Sequence, residues 1–308
     1  MVDTRYTFLL PAYKACFLRD ALKSILNQTL GSYKIIVSDD ASPEPLQDIV
    51  NSFDDDRISF HRNANNLGAA RLVQHWNLLL ENCDSDYVIV ASDDDLYHPR
   101  FLEIINALTH DFPEAEFIRA RACIIDQNGE TLKTEDNGPE WMSQEGLLDV
   151  LINPGSVLCI GNCVFKTSAL KDAGGFVSFP LGWKSDSATQ ILLSQKGVPC
   201  SNEILFSFRM SGFNISSGVE RNREKDCNKL NALIAFDEWM THFIPGNVLE
   251  RYMRPLRNRL EGEARSYLWT LSISGFLRLY RKLCREGWFL SSRNKVSFLL
   301  CWFRFHHA

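Results

Sequence analysis

The chain has 308 residues, is 45% hydrophobic and carries a formal net charge of −5. That is enough for a buried core in one large domain or two modest ones, and it excludes a disordered or low-complexity protein. No stretch reaches the roughly 18 apolar residues that would cross a bilayer, and the opening "MVDTRYTFLLPAY" reads as a first strand, not a signal peptide.

In chain order, "YTFLLPAY" is a short apolar strand turned by Pro11. "FLRDALKSILNQTL" sets Phe17, Leu18, Ala21, Leu22, Ile25 and Leu26 on one helical face, with Gly31 as the stop. "YKIIVSDDAS" is a β-branched strand ending in acids, and Ser42-Pro43-Glu44 opens the next helix. "RISFHR" is a strand, "NANNLGAA" a loop, "RLVQHWNLLLENC" a helix, "DYVIVAS" a buried strand, and "HPRFLEIINALTHDF" a helix begun at Pro99. Strand and helix alternate, which predicts an α/β domain with a mostly parallel sheet. Beyond it, "EFIRARACIID" reads as a strand followed by a turn at "NGE". "PGSVLCIGNCVFKTSALKDAGGF" reads as strand then helix, "SDSATQILLSQKG" as a helix, and "VPCSNEILFSFRM" as extended chain. From about residue 221 the pattern is helical. The expected division is an α/β domain over 1–220, in two halves of 1–100 and 101–220, and a helical basic region over 221–308.

Charge is uneven. From Arg251 onward, 12 Lys or Arg face 3 acids, a net of +9 that leaves −14 on the remainder. An acidic body with a basic contact surface is the reading, and no nucleic-acid-binding motif accompanies the basic tail. The nine cysteines are odd in number and match no zinc spacing, which suits reduced thiols in the cytoplasm.

Two acidic clusters end two of the strands, "VSDDAS" and "VASDDD". In parallel α/β sheets ligands bind beyond the carboxyl ends of strands, so both clusters point to one crevice. Three adjacent carboxylates suit a hard divalent cation, Mn²⁺ or Mg²⁺, shared with substrate phosphates. Each cluster could also be a solvated helix cap.

The ordered set Pro11-Ala12-Tyr13, "ILNQT", "VSDDAS", "NNLG", "HWN", "SDDDLYHP", then "GNCVFKTSALKDAGGF" and "GWKSDSATQILLSQKG", resembles the family 2 glycosyltransferases over residues 5–210. The resemblance implies a GT-A fold: a Rossmann-like, mostly parallel sheet flanked by helices, with 1–220 as the catalytic domain, 1–100 its nucleotide-sugar half and 101–220 its acceptor half. It implies a metal-dependent, inverting transfer from a nucleotide-diphosphate sugar, with UDP as the usual nucleotide, to a hydroxyl of a glycan or lipid-linked acceptor. On these motifs Pro11, Ala12 and Tyr13 line the nucleotide pocket, Asp40 bonds the base, and Asn66, Gly68 and Arg71 shape the adjacent loop. Asp94 falls on the main metal ligand with Asp95 beside it. Ser92 stands where many members carry an acid, so Asp93 takes over sugar or ribose contacts. Asp186 falls on the general base, with Ser185 where many members carry a second acid. Asn162 and Trp183 border the acceptor side. Two other readings share the acids: a phospho-receiver signalling module and a sugar nucleotidyltransferase. The tail, with Leu, Phe and Trp among its arginines, reads either as a peripheral membrane contact on the inner face of the cell membrane or as a helical subdomain.

Overall fold

A computed structural model describes residues 4–153, 155–212, 222–289 and 291–307. Eleven α-helices and ten strands are present among them. The first part of the chain runs β1 (Tyr6–Ala12), α1 (Leu18–Leu26), β2 (Tyr33–Asp39), α2 (Leu46–Asn51), β3 (Ile58–Arg62), α3 (Leu72–Glu81) and β4 (Tyr87–Val90). Then follow β5 (Leu96–Tyr97), α4 (Phe101–Asp111), β6 (Phe117–Ile125), β7 (Thr131–Thr134), β8 (Trp141–Met142) and α5 (Gln144–Ile152). β9 (Cys163–Lys166), α6 (Thr167–Asp172), α7 (Ser185–Leu192) and β10 (Val198–Arg209) complete this part. Four long helices come last: α8 (Arg223–Phe243), α9 (Gly246–Arg265), α10 (Ile273–Arg285) and α11 (Ser292–His307).

The main sheet has the order β3-β2-β1-β4-β9-β6-β10-β5. β1 pairs parallel with β2 and with β4, β2 with β3, and β6 with β10. β9 lies antiparallel between β4 and β6, and β5 antiparallel on β10. The central strands β1 and β4 are buried almost throughout and read as nearly continuous apolar runs, as in a sheet covered on both faces. Tyr6, Phe8 and Leu10 of β1 and Leu18, Leu22 and Ile25 of α1 are fully buried in one core. From β1 the chain builds β2 and β3 on one side, then returns to place β4 on the other. The loops after β1 and β4 therefore part at the carboxyl edge of the sheet, where such folds bind ligands.

Local chemistry corrects two expected boundaries and adds one strand. The helix expected from Ser42 begins at Leu46, because Ser42 is taken up by the turn: its N–H donates to Asp39 Oδ1 and its Oγ accepts from the Glu44 N–H. α1 stops at Leu26, well before Gly31. Leu96 and Tyr97, given no element by the sequence pattern, pair with Ser207 and Phe206 and tie the acidic loop to β10.

The chain forms two compact units, Met1–Ser178 with Ser185–Gly218, and Phe179–Lys184 with Val219–Ala308. The first holds the sheet. In the second, buried Asp237 accepts hydrogen bonds from Arg257 Nε (2.7 Å) and Trp288 Nε1 (3.0 Å). Phe276 stacks on Trp302 at 4.9 Å. The short segment Phe179–Lys184 packs here too, with Phe179 edge-on to Phe236.

Candidate active site

β4 is buried along its whole length and delivers Ser92–Asp95 to the sheet edge. Asp93 Oδ2 accepts the backbone N–H groups of Tyr13 and Lys14, both at 2.8 Å, and so staples the loop after β4 to the loop after β1. Ser92 Oγ reaches Asp94 Oδ1 at 3.0 Å and Asp95 Oδ2 at 2.6 Å. A hydroxyl carries one hydrogen and cannot satisfy two charged carboxylates at once. Asp95 Oδ1 accepts the Arg209 N–H (2.8 Å), and the Arg209 guanidinium donates to the Asp94 carbonyl (2.8 Å) while lying 4.5 Å over Phe17. Burial, reinforced by Asp94, pushes the Asp95 carboxyl up to about 8. Burial and then Asp93 push Asp94 up as well. Burial also raises Asp93, against the opposing pull of the Tyr13 and Lys14 amides. The loop is thus a knot of acids held in a negative, half-dry place that favours a proton or a cation.

The next loop is organised by Asp40. Its Oδ1 accepts from the Leu67 N–H (2.8 Å) and Asn63 Nδ2 (2.9 Å), and its Oδ2 from the Gly68 N–H (2.8 Å). Burial alone would raise this carboxyl, but these donors together hold it below its ordinary value. Gly68 has φ 65°, and a Cβ there would lie 3.0 Å from Asn66 Oδ1, so the turn favours glycine. Arg71 donates to the carbonyls of Asn66 and Leu67 and closes the loop. Asp39 has both oxygens occupied, one by Ser42 and one by Arg62. Ala12 is buried, whereas the Tyr13 side is open, at 42% exposure. Asp186 stands half-buried in the first turn of α7, where its Oδ1 accepts the Ser187 N–H at 2.7 Å. The Gln190 amide of α7 donates to the Cys159 carbonyl. Burial and then Asp95 drive the Cys159 thiol far above its usual value, and Asp186 adds to this, so one thiol lies within electrostatic reach of both acids.

The family model described as "Glycosyl transferase family 2" matches residues 7–174, more than half of the chain and all of the strands that carry these acids. The chain belongs to glycosyltransferase family 2. Among curated relatives it is 26% identical over 228 residues to a Bacillus subtilis protein named as a teichuronic acid biosynthesis glycosyltransferase, TuaG. That alignment covers 70% of this chain and 82% of TuaG. Against Bacillus subtilis protein CgeD it is 27% identical over 131 residues, covering 40% of this chain but only 30% of CgeD. The crystal structure of S. aureus TarS 1–349 in complex with UDP-GlcNAc superposes with a TM-score of 0.70 at 13% identity, over 91% of this chain and 79% of that one. A mannosyltransferase from Pyrobaculum calidifontis, in complex with GDP-Man and Mn²⁺, gives 0.57 at 13% identity, over 96% and 85%. These likenesses show the GT-A fold, and the family sets aside the receiver-module and nucleotidyltransferase readings.

The glycosyltransferase brings Pro11–Tyr13, Asp40, Asn66, Gly68, Arg71 and Asp93–Asp95 to one edge of its sheet. It does not bring Asn162 to a surface. That side chain is fully buried, donates to the carbonyls of Ala120 (2.8 Å) and Val157 (3.2 Å), and holds β9 against β6. Trp183 belongs to the helical unit, where its Nε1 donates to Glu263 (2.7 Å) and Lys229 sits 4.3 Å from its ring. Arg209 and Ser211 carried no signal in the sequence, because each meets the acids from more than 110 residues away. As to a cation, no group of three or more His, Cys, Asp or Glu is placed to hold one among the described residues. One or two carboxylates with substrate phosphates suffice for Mg²⁺-type sites. Asp94 fits that role best: its Oδ1 meets the Ser92 hydroxyl (3.0 Å) and its Oδ2 the Ser211 hydroxyl (3.4 Å), and burial beside Asp93 makes a charge there costly in a way that a cation would relieve.

Proposed function

We propose that this enzyme moves a sugar from a nucleotide-diphosphate donor, UDP-linked by preference, to a hydroxyl of a glycan or lipid-linked acceptor with inversion at the anomeric carbon. The observation that carries the reading is the Asp93 staple, which fixes the acid-bearing loop and the Pro11–Tyr13 loop as two walls of one crevice. The neighbours named with UDP-GlcNAc and with GDP-Man and Mn²⁺ support the donor class. The teichuronic acid name of a relative supports an envelope polysaccharide as the acceptor.

In this reading Pro11, Ala12, Tyr13, Asn66, Gly68 and Arg71 enclose the nucleotide. Asp40, one lone pair of which is left on Oδ2, accepts from the base. Asp93, its Oδ2 held by the Tyr13 and Lys14 amides, offers its other oxygen to ribose or sugar. Asp94, with Asp95 beside it, holds Mn²⁺ or Mg²⁺, whose chemistry is to offset the charge of the departing diphosphate. Asp186 takes the proton of the acceptor hydroxyl as that proton becomes acidic in the transition state. A single displacement of this kind needs no protein nucleophile. No helix among the described residues is long and apolar enough to cross a membrane. The working place we propose is the cytoplasm, at the inner face of the cell membrane. The test is a donor-hydrolysis screen over UDP- and GDP-sugars with Mn²⁺ and with EDTA, followed by NMR assignment of the product anomer. Turnover in EDTA would sink the metal role. A retained anomer would sink the single displacement, and no turnover or binding of any donor would sink the donor class.

A further inference from the structure

The helical unit sorts its apolar residues into two sets. Phe276, Leu283, Trp288, Phe298 and Trp302 are buried and build its core. Ile273 (65% exposed) and Leu277 (40%) on α10, and Val296 (54%), Leu300 (51%) and Phe303 (47%) on α11, face outward. At about 100° per residue, Arg293, Val296, Ser297, Leu300, Phe303 and Arg304 fall within an arc of about 120°. Arg265, Arg293 and Arg304 together with Val296, Leu300 and Ser297 line an open groove of about 530 Å³. On α10 the exposed Arg278, Arg281 and Arg285 stand alongside Leu277. Neither helix contains a single acid.

We propose that the outward face of α11, with Arg265 of α9 beside it, docks on an anionic lipid bilayer. An aliphatic stripe edged by guanidiniums has the chemistry of an interfacial helix: the apolar side chains enter the acyl boundary while the arginines stay with the lipid phosphates. Two other partners fit less well. A second copy, paired through the same face, would set arginines against arginines with no acid on either helix to offset them. Nucleic acid would leave the exposed Val296, Leu300 and Phe303 facing a polar surface. The inference rests on exposure and charge in the helical unit alone, so it stands or falls independently of the donor chemistry.

The test is flotation of the full chain with vesicles of phosphatidylcholine alone or mixed with phosphatidylglycerol, at low and high salt. We expect association with the mixed vesicles only, weakened by salt. Arg293→Ala with Arg304→Ala should lower partition about thirty-fold, from about 1 kcal/mol per basic side chain near an anionic surface. Val296→Ser with Leu300→Ser should lower it about tenfold or more. All four side chains are at the surface, so melting by circular dichroism and donor hydrolysis in solution should not change. Failure of the wild-type chain to float, equal binding to neutral vesicles, or variants that bind as well as wild type would each overturn the proposal. So would a dimer in light scattering that Leu300→Ser dissolves, which would assign the face to a second copy.

Discussion

Asp94 and Asp186 are both carboxylates, but their surroundings suit them to different work. Asp94 sits 7% exposed among other acids, and burial with Asp93 makes its charge costly unless a cation shares it. Asp186 stands half-buried in the first turn of α7, where its Oδ1 accepts the Ser187 N–H at 2.7 Å. Asp94→Asn should therefore cut transfer about 10³-fold and remove the response to added Mn²⁺. Asp186→Asn should lower kcat by about 10²–10⁴-fold while leaving UDP affinity, read by titration calorimetry, close to wild type. Equal loss of nucleotide binding in both variants would contradict this division. The residue scale also shows where spacing runs out. Ser92 was legible as a departure from the family pattern, but its hydroxyl shared between Asp94 and Asp95 was not.

At the scale of elements, the loop Asn63–Gly68 depends on one side chain. Asp40 gathers the N–H groups of Leu67 and Gly68 and the amide of Asn63. Asp40→Asn keeps the shape but turns one acceptor into a donor aimed at donors, which should cost about 1–3 kcal/mol. Faster hydrogen exchange at Leu67 and Gly68, together with weaker UDP binding, is the expected outcome. Normal protection at both amides would show that the loop is held otherwise. The strands that carry the acids were readable because parallel, doubly covered strands are apolar throughout, and a run of acids then marks their carboxyl ends. The two-residue β5 was not readable. Its only reason to exist is Phe206 and Ser207 of β10, more than 100 residues away.

Across the whole molecule, buried charge sets the response to pH. His75 is buried, with Nε2 at 2.7 Å from Ser38 Oγ. Burial lowers its pKa, an effect that Asp40 only partly opposes. In the unfolded chain it titrates near about 6.5. Below that pH the unfolded state takes up a proton the folded state refuses, so stability falls as pH drops through that value and until the lower folded pKa is passed. Urea denaturation from pH 8 to 5.5 should show this slope, and His75→Gln should flatten it. An unchanged slope in the variant would assign the effect to other groups.

The sequence by itself determined the alternation of strand and helix, the two acid clusters at strand ends, the ordered motifs of a family 2 glycosyltransferase, and a basic C-terminal region. Each is written in periodicity or spacing over a few residues, which local sterics and burial translate directly. Only the tertiary structure decided that Asn162 is spent inside the core, and that Trp183, three residues before Asp186, is held by Glu263 and Lys229 of the helical unit. The same holds for Arg209, which underpins Asp94 and Asp95, and for the tail, whose aromatics mostly turn inward and leave a narrow apolar stripe among arginines. In each case the partner comes from a distant part of the chain. Which long-range partner wins is settled by packing and by the need to satisfy buried polar groups, and no local pattern records that choice.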